Sequence, residues 1–334
     1  MNVSMWGKAL RVIPRISKDE WDGLDVISRW LISTRAAVLI MTFISAAIAG
    51  IFALRDGNFN LGSWLLLTLG LVFAHATNNL LNDLTDYQRG VDKDNYFRTQ
   101  YGPQPIQQGL MSKRQLLTYA GVTGAIAIIA GLFLVIQRGP LAWLLLAAGA
   151  FFVLFYTWPL KYIGLGEIAV IIVWGPLMVG GGYFVITGTW DWNVVIASLP
   201  YALGTTMVIF GKHIDKIEAD RAKGIHTLPV LIGEKTARYT ALIMMGLQYI
   251  FTIYLIVTGY FSPVMLVVLL ALTAVPMVWQ VYRAPKPKEM PDGYQADVWP
   301  LYFVALSFLH NRRFGLWYLA GLILDTALHL THVI

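Results

Sequence analysis

Residues 61–92 read LGSWLLLTLGLVFAHATNNLLNDLTDYQRGVD, an apolar run that passes without a turn signal into amides and carboxylates. A helix needs about 20 mainly apolar residues to cross a bilayer, and residues 61–82 supply them. Asn79, Asn82, Asp83 and Asp86 then recur three and four residues apart, so a helix carries them on one face. Gly90 can break that helix and let the chain turn until Asp92 joins the others. Ionisable residues that continue directly from an apolar span are costly and point to function.

Runs of the same kind fall at 35–54, 115–137, 141–158, 163–187, 194–211, 239–259, 262–282 and 314–333. A shorter apolar piece at 298–310 is expected at the membrane interface. Hydrophobic residues make up 57% of the 334, charged residues only 13%, and mean hydropathy is +0.60. Disorder and an ordinary soluble fold are excluded. The fold class expected is an all-α membrane protein, a bundle of about nine transmembrane helices with cytoplasmic Asp-rich loops. Cysteine is absent, which removes disulfides, thiolate nucleophiles and Cys-ligated zinc.

Charge tests the span count. With nine spans and a cytoplasmic N-terminus, 23 of the 25 Lys and Arg fall on the inner side, leaving Arg55 and Arg138 outside. That asymmetry follows the positive-inside rule and supports both the count and a cytoplasmic N-terminus; the expected location is the cell (inner) membrane, multi-pass. It also accounts for the net charge of +6 without nucleic-acid binding. Residues 1–34 form an N-terminal segment expected on the membrane surface, with Trp6, Trp21 and Trp30 near basic residues and a capping box from Ser17 to Glu20. The transmembrane domain takes 35–334.

A second cluster, residues 211–229, reads GKHIDKIEADRAKGIHTLP. An even number of spans separates it from the first, so the two face one compartment. Lys212, Lys216 and Asp220 share a helical face, whereas Asp215 stands off it. Carboxylates and amides suit Mg²⁺, which is commonly held by one or two carboxylates plus substrate phosphates. Lysines meet phosphate oxygens directly. The competing readings are a solvated acidic loop at the first cluster, adopted for Asp94, and a network of exposed ion pairs at the second.

Asn82-Asp83-x-x-Asp86-x-x-x-Gly90-x-Asp92 resembles the NDxxDxxxD motif of the UbiA superfamily of intramembrane prenyltransferases, with Gly90 where the last Asp would stand. That variant is similar to the branch that prenylates 1,4-dihydroxy-2-naphthoate on the way to menaquinone. Gly102-Pro103, Gln107-Gln108-Gly109 and the run from Tyr156 to Glu167 resemble the same branch. Asp220 to Glu234 looks like the family's second signature. That signature is commonly DxxxD, and here its first position holds Lys216, with Lys212 and His213 where paired asparagines often precede it.

The resemblance implies nine helices and transfer of a polyprenyl group from its diphosphate to an acceptor, usually aromatic, with Mg²⁺ and the membrane lipid as surroundings. Metal ligands implied are Asp83, Asp86 and Asp220, then Asn79, Asn82, Asp92 and Asp215. Diphosphate contacts implied are Lys161, Lys216 and Arg89, then Lys212, Arg221 and Asn82. Tyr156 and Trp158 offer aromatic walls for an allylic cation or serve as interfacial belt residues. His75 faces the same cavity or packs through a hydrogen bond. Glu167 caps its helix or orients Lys161. Asp325 suggests no function, and His329 and His332 fall near the outer surface without support for a metal site.

Other classes compete. A terpene cyclase of the same superfamily would ionise the same diphosphate, and a non-aromatic lipid acceptor is an alternative to naphthoate. A lipid-phosphate alcohol transferase would carry a DxxDGxxAR run that is missing. A secondary transporter would put its carboxylates at the midplane and show inverted repeats; neither is found.

Overall fold

The computed structural model describes residues 2–93, 102–294 and 298–331. Asp94 and His332, assigned above to a solvated loop and to the outer surface, lie outside the described residues. Three short helices, α1 (Val3–Arg11), α2 (Lys18–Asp22) and α3 (Val26–Ser33), precede the bundle. It is built of α4 (Ala36–Arg55), α5 (Leu61–Gln88), α6 (Lys113–Arg138), α7 (Pro140–Phe155), α8 (Gly166–Thr187) and α9 (Trp192–Asp215). After two short turns, α10 (Ile217–Ala222) and α11 (Leu228–Ile232), follow α12 (Glu234–Val257), α13 (Pro263–Tyr282) and α14 (Phe303–Leu330). Among the described residues there is no strand; one isolated parallel bridge joins Ile163 to His226.

Among the described residues seven helices, α4, α5, α6, α8, α9, α12 and α13, are long and apolar enough to cross a membrane. The chain is a multi-pass membrane protein. α7 is apolar but has 16 residues, and α14 has 28 with Arg312 and Arg313 in its first half. α9 is the most enclosed, packed on α8, α12 and α14. Gly211 permits that approach, since a Cβ there would lie 2.8 Å from both Ser307 Oγ and Tyr282 Oη. A second apolar cluster joins Trp21 and Ile32 to Leu80, Leu84 and Leu116, so the N-terminal helices pack on α5 and α6. The Ser17–Glu20 capping box is formed.

Two boundaries depart from the apolar runs. α5 continues six residues beyond its apolar run to Gln88, as expected of a helix broken at Gly90, and α14 absorbs most of the separate piece expected at 298–310. At the end of α5, Arg35 and Lys161 compensate the charges that lower hydropathy. The start of α14 is held by Asp215, whose carboxylate accepts the amides of Tyr302, Phe303 and Val304, each at 3.0 Å. Lys286 Nζ stands 3.3 Å from the same carboxylate. Burial pulls the Lys286 ammonium pKa down, and Asp215 opposes this. Asp325 has a similar task, accepting the Ser262 amide at 2.7 Å just before α13.

Candidate active site

The last two turns of α5 carry Asn79, Asn82, Asp83 and Asp86, as their spacing predicts. Asp83 is 2% exposed and Asp86 4%, so each needs a counter-charge. Arg35 Nη2 pairs with Asp83 Oδ1. Arg35 sits between α3 and α4 at φ +54°, a left-handed conformation that costs a non-glycine residue about 1–2 kcal/mol. The ion pair offsets that cost. Lys161 Nζ donates to Asp86 Oδ1 at 2.9 Å. It stands on a single tight turn, Leu160–Tyr162, whose backbone is closed by Lys161 N on Tyr156 O.

Gly90 turns the chain at φ +69°, and Val91 N returns to Asp86 O at 2.8 Å. Asp92 is thereby folded back and buried, where it accepts Gln104 Nε2 at 3.1 Å. The second cluster meets this loop through Lys223, whose Nζ donates to Val91 O and Lys93 O, each at 2.6 Å. Tyr162 lies where the two clusters converge. Burial pushes its phenol pKa up to about 12, Asp86, Asp220 and Asp92 push the same way, and Arg89 opposes them.

α9 stops at Asp215, and Lys216 breaks the helix at φ −126° before α10 begins. The break separates the two aspartates of the second cluster. Asp215 turns to the start of α14, so both its oxygens are engaged away from the first cluster. Asp220 keeps Oδ1 on Lys216 Nζ at 2.9 Å, and its Oδ2 is buried with no hydrogen-bond partner. Arg221 pairs with Glu218 at 2.9 Å on the exposed side. Arg89 is exposed and lies over the rings of Trp158 and Tyr162, at 4.6 and 5.1 Å.

A cavity of about 1480 Å³ runs beside α5 from Leu67 to Asp86. That is about 28 Å at 1.5 Å per residue. Its far reach is aliphatic, with Leu71, Leu134, Leu145 and Val173 among its walls. Its near end is basic: Arg11, Arg15, Arg35, Lys161, Lys212 and Lys216 line it, and Asp86 is the one carboxylate among the described lining residues. Asn79, Asn82 and Tyr156 line it too. Asp83 and Asp220 stand behind the arginine and lysine that pair with them. Trp158 is 47% exposed and does not line it.

Two readings of polar residues are resolved. His75 both lines the cavity and packs, its Nδ1 2.7 Å from Thr42 Oγ1 and its ring edge-on to Trp174. Glu167 holds His213 Nδ1 at 2.5 Å and accepts the Leu228 amide at 3.3 Å, so it positions His213 rather than Lys161. Arg11, Arg15, Arg35 and Tyr162 went unnoticed in the sequence as site residues. Arg35 had a signal, a charge at the edge of an apolar run, but its partner is 48 residues away.

The first cluster fits a hard cation. Asn79 Nδ2 donates to Thr34 O at 2.8 Å, which leaves the amide oxygen as the end suited to a metal. Among the described residues no three His, Asp or Glu form a ready cluster.

The pattern of a UbiA prenyltransferase family model matches residues 42–293. The 1,4-dihydroxy-2-naphthoate octaprenyltransferase of Bacillus subtilis is 24% identical over 87% of this chain and 91% of its own length. The UbiA prenyltransferase domain-containing protein 1 homolog of Drosophila melanogaster is 27% identical over 64% of this chain; the match spans 62% of that relative's length. A UbiA homolog from Archaeoglobus fulgidus, solved bound to GPP and Mg²⁺, superposes with a TM-score of 0.57 at 15% identity, covering 88% of this chain and 99% of that one. That likeness establishes the shared fold.

Proposed function

Because the chain belongs to the UbiA prenyltransferase family, and is thus an intramembrane prenyltransferase, we propose that it transfers a polyprenyl group from its diphosphate to 1,4-dihydroxy-2-naphthoate in menaquinone biosynthesis. One observation carries the reading: six Lys and Arg close one end of a long aliphatic cavity. An anionic head on an apolar tail is the ligand that such a cavity complements. The naphthoate acceptor is supported by the motif variant at Gly90 and by the likeness to the Bacillus subtilis enzyme.

In this reading Asp83 and Asp86, with Asn79 and Asn82, hold Mg²⁺ together with diphosphate oxygens, and Asp220 offers its Oδ2. The metal supplies charge neutralisation at the leaving group. Lys161 neutralises Asp86 before substrate enters and meets a diphosphate oxygen afterwards. Lys212 and Lys216 receive the same head from α9. Tyr156 and Trp174 turn aromatic surface to the cavity beside it, where it stabilises an allylic cation and displaces water. The allylic C–O bond breaks with its electron pair leaving on the diphosphate. A ring carbon of the acceptor then forms the new C–C bond, losing its carboxyl group as CO₂. In this reading the motif end of the bundle faces the cytoplasm of the cell membrane, which the distribution of Lys and Arg supports.

Product analysis tests the reading. Detergent-purified protein is incubated with geranylgeranyl diphosphate, Mg²⁺ and a panel of naphthoate, benzoate and glycerol-lipid acceptors, with a chelator control. A Mg²⁺-dependent prenylated naphthoquinol is expected. Diphosphate release with an acceptor-free hydrocarbon would identify a cyclase instead, and a prenylated glycerol lipid would change the acceptor.

A further inference from the structure

We propose that in this chain the second cluster supplies fixed cations, Lys216 and Lys212, in place of a second metal ion, so that the diphosphate is held with one divalent cation. The inference rests on the prenyl-diphosphate reading above and concerns how that head group is held.

Three carboxylates stand between residues 211 and 224, and the structure disposes of two. Asp215 is engaged by three amides and Lys286. The Glu218 side chain is 86% exposed and paired with Arg221. Only Asp220 remains, with Lys216 Nζ 2.9 Å from its Oδ1. Its other oxygen is a single buried donor, which can add to the coordination of the one cation but cannot hold a second by itself. A metal ion needs several oxygens arranged around it, and this segment does not assemble them.

The same segment does present positive charge. Lys212 and Lys216 both line the cavity, whereas Asp220 does not. The Lys216 side chain is 13% exposed and held by Asp220, so it is ordered before any ligand arrives. Lys223 ties the segment to the loop after α5, so these lysines face the first cluster across the basic end. With Arg11, Arg15, Arg35 and Lys161 also there, the six cations exceed the carboxylates of Asp83, Asp86 and Asp220 by three charges, which matches a diphosphate ester without a second dication.

The test is a stoichiometry. The full chain in detergent is titrated with Mn²⁺ in the presence of the unreactive analogue geranylgeranyl thiolodiphosphate, and bound Mn²⁺ is counted by electron paramagnetic resonance. One Mn²⁺ per chain is expected, and two in Lys216→Asp, with the dipolar broadening of a close pair. Lys216→Met should keep one Mn²⁺ while analogue affinity falls about 10–100-fold, the effect of losing one hydrogen bond to a charged group. Two Mn²⁺ in the unsubstituted chain, or analogue bound tightly with none, overturns the assignment and leaves prenyl-diphosphate binding standing. Unchanged affinity in Lys216→Met overturns it as well. No analogue binding by the unsubstituted chain, with or without Mn²⁺, removes the prenyl-diphosphate reading and this inference with it. The count in the unsubstituted chain decides even where a variant fails to fold.

Discussion

Lys161 and Asp86 form a buried ion pair of 2.9 Å that links the turn after α7 to the last turn of α5. Both residues line the cavity, so a substrate anion entering the basic end competes with Asp86 for the same ammonium. Lys161→Met removes that cation from the Asp86 carboxylate. It should lower kcat/KM by about 10²–10³-fold, as loss of one preorganised charge at a leaving group does. Steady-state kinetics with varied prenyl diphosphate checks this; a loss below threefold would demote Lys161 to a structural counter-ion.

Arg35 and Asp83 make the neighbouring pair, and here catalysis and stability are entangled. Asp83→Ala breaks this buried ion pair from one side, which costs about 3–5 kcal/mol. Asp83→Asn keeps a hydrogen-bond acceptor for Arg35 and removes the charge that a metal needs. The expected outcome is a folded protein with a lowered Tm and no detectable turnover. Near-normal turnover in Asp83→Asn would remove Asp83 from the metal set.

The sequence made the helices and the first cluster legible, because apolar runs and i,i+4 spacing are local signals. The end of α5 was legible too, at Gly90, but the partners that bury its charges were not: Arg35 and Lys161 compensate Asp83 and Asp86 from 48 and 75 residues away. Asp215 illustrates the limit inside the site. Its identity and position are those of a metal donor, and only the return of residues 302–304 turns it into a helix cap. Lys216 was visible as a departure, but its choice of Asp220 over Asp215 depends on where α9 breaks.

The N-terminal helices bear on the same cavity, since Arg11 and Arg15 line it. Asp25 anchors them: its carboxylate accepts the Ser28 and Asn2 amides and Trp6 Nε1. The Ser28 amide bond is the largest influence holding the Asp25 pKa below its usual value. A carboxylate with a lowered folded pKa stabilises fully above its unfolded value of about 3.9. That contribution declines as pH falls below it and is lost once pH passes the folded pKa. Docking of α1 should therefore be constant from neutral pH to about 4 and loosen below. Trp6 fluorescence in Asp25→Asn should show the loosened state already at neutral pH; identical spectra would mean that apolar packing alone holds α1.

Asp215 separates a structural carboxylate from a catalytic one. In Asp215→Asn the three amides of residues 302–304 keep one oxygen acceptor, but Lys286 loses its counter-charge and the cap loses its negative charge. Breaking a buried pair from one side costs about 3–5 kcal/mol, so a large fall in Tm is expected. The Mg²⁺ concentration for half-maximal activity, measured well below the new Tm, should stay within twofold of the unsubstituted chain. Asp220→Asn takes the counter-charge from Lys216 and should also lower Tm, but unlike Asp215→Asn it should weaken the Mg²⁺ response, because its Oδ2 is not committed to a structural hydrogen bond. A shifted Mg²⁺ requirement in Asp215→Asn, with Tm unchanged, would return Asp215 to the metal site and take the capping role from it.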